Sequence, residues 1–145
     1  MRAEHEQWFA RTSPPTKNLD VEDRKWPERL RYQSRGLLRQ WKLESLIDRV
    51  DTVLTELVSN AVVHGGGRVI GFRLALAEAG LLVEVADSSP NLAQVVDAAP
   101  EDENGRGLLL IEVFADDWGT RPRADGAGKW TWATFSATAR PDGAR

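Results

Sequence analysis

The stretch TELVSNAVVH, residues 55–64, decides how the chain is read. Leu57, Val58 and Ala61 continue an apolar stripe that begins with Leu46, Val50, Val53 and Leu54, which is the spacing of an amphipathic helix. Glu56, Asn60 and His64 fall four apart in the same stretch, and residues four apart on a helix are separated by only about 40° around its axis. They form a slowly turning polar ridge beside the apolar stripe. Lysine or arginine would keep such a border solvated more cheaply, so a carboxylate, an amide and an imidazole in this order suggest chemistry. A carboxylate beside an amide oxygen suits Mg²⁺, a hard cation that keeps several waters and shares phosphate oxygens. The carboxylate could instead take a proton from an attacking hydroxyl or water. On an exposed helical face the same residues are also ordinary surface.

Outward from this helix, its start is expected near Glu44 or Ser45 and its end at Gly65, Gly66 and Gly67. Upstream, ERLRYQSRGLLRQW from Glu28 sets Leu30, Leu37, Leu38 and Trp41 against arginines, a first helix interrupted only by Gly36. Residues 1–27 carry Pro14, Pro15 and Pro27 with isolated Trp8 and Trp26, and read as an irregular arm whose tryptophans either dock on the body or offer a partner or homodimer contact. Downstream the period changes to two. Runs 69–78 and 81–87 flank Ala79 and Gly80 as a hairpin. Residues 88–104 read as a loop with a short helix near Leu92 to Val96. GLLLIEVFAD is expected as a third helix, and WGTRP with KWTWATFSATA as two closing strands. The order predicts an α+β fold, a two-layer α/β sandwich whose mixed, mostly antiparallel sheet is covered by helices on one face. The folded domain is expected over 28–140, with a flexible tail at 141–145.

Composition narrows the function. The 145 residues, 41% of them hydrophobic, suffice for one domain with a sizeable core. A formal charge of −3 gives no basic footprint for nucleic acid or an anionic membrane. There are no cysteines, and the two histidines, His5 and His64, lie far apart in sequence, which disfavours a transition-metal site built from protein ligands alone. No run approaches the roughly 20 apolar residues of a membrane span, and MRAEHEQWFARTSPP lacks the apolar stretch of a secretory signal. A cytoplasmic protein is expected.

Two further motifs carry chemistry. LLVEVAD ends in Asp87 before Ser88, Ser89 and Pro90. That carboxylate can accept from an exocyclic amine such as adenine N6, or it can cap the following turn. In ENGRGLLLIEV, Gly105 and Gly107 precede an apolar run. Glycines let backbone N–H groups approach an oxyanion, a helix N-terminus adds a favourable dipole, and Arg106 can add a charged donor. Two other phosphate motifs fail on their spacing. ADGAGKW has Arg123 where a P-loop needs its first glycine and Trp130 where it needs Ser or Thr. GRGLLL lacks the third glycine of a dinucleotide fingerprint.

In order and spacing, ELVSNAVVHGGG, VEVADSSP and ENGRGLLLI resemble the N, G1 and G2 boxes of the histidine-kinase-like (GHKL or Bergerat) ATPases. The likeness is greatest to the anti-sigma-factor serine/threonine kinases, in particular the single-domain ATP-binding regulators of actinomycetes, whose closing segment WGTRPRADGAGKWTW is similar to. It covers about residues 30–137. The resemblance implies ATP and Mg²⁺ as cofactors, Glu56 as general base or water-orienting carboxylate, Asn60 as the Mg²⁺ ligand, and Asp87 as the adenine reader. It also implies Gly105 and Gly107 as backbone donors, with Arg106, of an ATP lid built from residues 88–106. The partners it implies are an anti-anti-sigma (STAS-type) protein, phosphorylated on Ser or Thr, and a sigma factor. Two departures stand out: the G1 glycines are replaced by Ser88 to Asn91, and Trp130 stands where a Thr often follows Gly-Lys. Because strand side chains alternate faces, Thr131 is not expected to replace that Thr. The departures favour the alternative of a nucleotide-gated binding module without phosphoryl transfer. His64 is read either as a phosphate contact or as a cap on helix carbonyls.

Overall fold

A computed structural model describes residues 3–10, 25–64, 69–89 and 103–136. The expected glycine stop at 65–67, the short helix near 92–96, most of the lid and the tail at 141–145 lie outside the described residues.

Five strands form one sheet in the order β1-β2-β3-β5-β4, comprising β1 Ala3–Ala10, β2 Val69–Ala77, β3 Gly80–Asp87, β4 Asp117–Pro122 and β5 Lys129–Ser136. Every neighbouring pair is antiparallel, so among the described residues the parallel pairing allowed for by a mixed sheet does not occur. Period-two alternation sorts the strands into two faces. Phe9, Ile70, Phe72, Leu74, Leu76, Leu81, Val83, Val85, Ala133 and Phe135 share the core with the helices, while Trp8, Glu84, Trp130 and Trp132 belong to the opposite face.

Helix α1, Lys25–Gln40, buries Pro27, Leu30, Ser34 and Leu38, spaced three or four apart. It begins three residues before Glu28 and runs through Gly36 unbroken. It ends in a Schellman motif: Leu43 N–H donates to Leu38 C=O at 2.7 Å, Lys42 N–H donates to Arg39 C=O at 3.1 Å, and Lys42 takes the left-handed φ of 61°. A short 3-10 turn, Glu44–Leu46, leads into α2, Ile47–His64. Val50, Val53, Leu54, Leu57, Val58, Ala61 and Val62 of α2 are buried, and the helix packs on α1, on β3 and on α3, Glu103–Phe114. Among the described residues no helix is long and apolar enough to cross a membrane.

Residues 3–10, expected within an irregular arm, are instead an edge strand. AEHEQWFA contains no β-branched residue and has little strand propensity of its own. Pairing with β2 along its whole length supplies the order, and Trp8 and Trp26 are drawn into the fold by it. Trp26 stacks on Phe9 with ring centroids 3.9 Å apart, and Trp8 meets Trp130 edge to face at 5.5 Å.

Candidate functional site

Glu56 and Asn60 lie one helical turn apart on α2, half-buried at the rim of its apolar stripe, as the ridge predicted. Opposite them α3 presents Gly107, which is buried. A β-carbon added there would sit 2.7 Å from Glu56 Oε2 and 3.7 Å from Asn60 Nδ2. Glycine is what allows the two helices to approach while both polar side chains keep their places. The structure thus brings together three of the residues singled out in the sequence. On another side Glu56 borders a cleft of about 290 Å³ that it shares with Arg31, Asp51, Thr52 and Thr55.

The glycines of ENGRG do not precede the helix, because α3 already starts at Glu103. Gly105 therefore falls in the first turn, whose N–H groups lack intrahelical partners. Gly107 falls beyond that turn and serves as a spacer against Glu56, not as a donor of a loop. The side chains of Arg106 and His64 lie outside the described residues.

A second cluster closes the end of β3. Asp87, 5% exposed, faces the core side and sits directly across from Lys129 of β5. Lys129 Nζ donates to both carboxylate oxygens at 3.0 Å, and Ser89 N–H donates to Oδ1 at 2.9 Å. Arg123 Nη1 donates to the Asp87 carbonyl at 3.3 Å. The turn bearing Arg123 comes so close that a β-carbon on Gly128 would lie 2.0 Å from that carbonyl oxygen. Burial pushes the Asp87 carboxyl above its ordinary value of 3.8, opposed by the Lys129 hydrogen bond and charge and by the Ser89 N–H. Lys129 was missed by the sequence reading. Its signal was the alternation of KWTWATFS, in which Lys129, Thr131, Ala133 and Phe135 share the buried face.

The same alternation decides where Trp130 lies. Its indole lies on the face away from the helices, between Trp8 and Arg121, so it does not crowd the end of β3. Thr131, across from Val85, shares the face of Asp87 and is buried. A threonine at position 130 would point away from that face, which removes the objection to Thr131 based on alternation.

Among the described residues no group of three or more His, Cys, Asp or Glu could hold a metal. The donor set at α2, one carboxylate and one amide beside the Gly107 cradle, fits a hard cation that draws most of its oxygens from water and phosphate.

The profile of the Histidine kinase-like ATPase domain matches residues 25–135. The chain belongs to that family. No curated protein was found to match the chain. Membership in the histidine kinase-like ATPases implies ATP binding, and the α+β architecture agrees with it. In this ATPase domain Glu56, Asn60 and Gly107 form one group between α2 and α3, and Asp87 with Lys129 forms another at the end of β3 and β5.

Proposed function

We propose that the chain is an Mg-ATP-dependent regulator of the anti-sigma-factor kinase type, which transfers the γ-phosphoryl of ATP to a Ser or Thr of an anti-anti-sigma protein and sequesters a sigma factor. The observation that carries the reading is the convergence of Glu56 and Asn60 on Gly107. Asn60 would hold Mg²⁺, which when bound offsets phosphate charge. The Glu56 carboxylate takes the proton of the attacking hydroxyl, as its oxygen moves from hydrogen to phosphorus and ADP leaves. Asp87 accepts from the adenine amine. Most of such catalysis is positioning and charge neutralisation, and Glu56 is held on a helix packed against α1, α3 and β3.

Ser89 favours a second reading. It is buried, and its N–H is bonded to Asp87 where a G1 box has a glycine, an arrangement suited to a nucleotide-gated binding module that transfers no phosphate. Labelled ATP with a candidate anti-anti-sigma partner separates the two. Label on the partner that disappears with Glu56→Ala supports the kinase. Nucleotide binding without labelling supports the module, and no ATP binding refutes both.

A further inference from the structure

The Asp87–Lys129 pair combines features that an ion pair serving only the fold does not require. Both residues are at most 8% exposed, and burying two charges for stability alone is a poor exchange against apolar residues of the same size. The hydrogen bonds of the pair also leave capacity unused. Among the described residues Asp87 Oδ1 accepts from Lys129 and Ser89 N–H, whereas Oδ2 accepts only from Lys129. An ammonium has three protons, and among the described residues two of those on Lys129 are committed. One acceptor site and one charged donor therefore stand side by side, 3.0 Å apart, at the end of the sheet.

An adenine base offers the matching partners on adjacent ring positions of its Watson–Crick edge: the N6 amine donates and N1 accepts. Guanine offers the reverse, a carbonyl toward the carboxylate and an N–H toward the ammonium. We propose that Lys129 is a specificity-determining residue for the nucleotide, donating to the ring nitrogen N1 while Asp87 accepts from the amine. This rests on the reading of Asp87 as the adenine contact. It adds a direct charged donor on the base, supplied from β5 and positioned by the cross-strand register with Asp87. It also accounts for discrimination in both directions, because a buried donor and acceptor presented with the wrong edge are both left unpaired.

The test is calorimetric titration of the full chain with Mg-ATP, with its 1-deaza analogue, which replaces N1 by C–H, and with the triphosphate of purine riboside, which lacks the amine. For the wild type, 1-deaza-ATP is expected to bind about 10-fold to 100-fold more weakly than ATP, the range for a hydrogen bond to a charged group. In Lys129→Met the ratio of the two affinities is expected to fall to near one, whatever happens to the absolute affinity, while the penalty for losing the amine persists through Asp87. A structural role alone would not move this ratio. Where circular dichroism shows Lys129→Met to be unfolded, Lys129→Arg keeps the charge on Asp87, and its planar fork is expected to shift the ratio at least threefold. Equal binding of ATP and 1-deaza-ATP by the wild type overturns the proposal, as does an unchanged ratio in the folded variant. Full binding of the triphosphate lacking the amine removes Asp87 from the base contact and with it the proposal. A wild type that binds no Mg-ATP refutes the function proposed above as well.

Discussion

Replacing Gly107 by alanine separates the chemistry of the site from its stability. The new methyl would lie 2.7 Å from Glu56 Oε2 and 3.6 Å from Cδ, where ordinary contact begins at 3.4 Å. To restore van der Waals distance the carboxylate must retreat by roughly 0.7 Å. Because the obstacle is the far end of a flexible side chain, the retreat is cheap, and alanine in a helix gains about 0.5–1 kcal/mol over glycine. The melting temperature of Gly107→Ala is therefore expected to match or slightly exceed that of the wild type. Asn60, at 3.7 Å from the added carbon, is already at ordinary contact and stays in place. ATP affinity should hold within about threefold. Phosphoryl transfer should fall on the order of 10-fold to 100-fold, given that misplacement by about 1 Å can lower a rate about 100-fold, a kcat effect with little change in KM. Thermal denaturation, calorimetry and labelled transfer to the partner measure the three quantities. Undiminished transfer in a folded Gly107→Ala would refute the role of Glu56, and an unfolded variant would refute the claim that only a movable carboxylate stands in the way.

Three other outcomes are expected. Gly36 lies exposed in a continuous helix with open space at its β-carbon position, so Gly36→Ala should stabilise by about 1 kcal/mol, while Lys42→Gly should relieve the left-handed residue by about 0.5–1 kcal/mol; a thermal melt showing Gly36→Ala destabilised contradicts an unbroken α1, and one showing Lys42→Gly destabilised contradicts the left-handed cap at its end. Glu84 is fully buried between Arg73, whose Nη1 is 2.7 Å from Oε2, and Arg121. Glu84→Ala should cost about 2–3 kcal/mol in urea denaturation, whereas Arg121→Ala, removing a side chain that is 45% exposed, should cost about 1 kcal/mol or less; similar losses would show that burial does not set the difference. Asp87 binds its proton more tightly in the fold than in the unfolded chain, so its contribution to stability is complete below the ordinary value of 3.8 and is lost as pH rises through the elevated folded value. Lys129→Met removes a charge that opposes the elevation and should move the titration of the Asp87 carboxyl carbon, followed by NMR, to still higher pH.

The sequence was most legible where a single period governs a segment. The stripe of α2 specifies its burial, and the polar ridge followed from the phase of Glu56 and Asn60 relative to that stripe; β2 and β3 were legible as strands, but not in their burial, since Gly71, Ala75, Glu84 and Ala86 on the face away from the helices are buried too. Order imposed from outside a segment was not legible. Residues 3–10 become a strand because β2 offers an open edge, and ENGRG becomes helical because Gly107 permits α3 to rest on α2, against the low helix propensity of glycine. Asp87 was placed correctly at a strand end, yet its partner was overlooked, since a lone lysine reads as solvated until the parity of its strand is followed through Thr131, Ala133 and Phe135.

The near overlap of Gly128 with the Asp87 carbonyl has a mechanical outcome. No methyl group fits between the two backbones, so the 123–128 turn and the tip of β3 must travel together, and Arg123, bonded to that same carbonyl, carries the displacement to the ring of Trp8, over which its guanidinium lies 5.1 Å from the centroid. Trp8 in turn touches Trp130. Seating a base against Asp87 should therefore alter the emission of these indoles, giving the molecule a built-in optical gauge of occupancy on the side of the sheet that faces away from the helices.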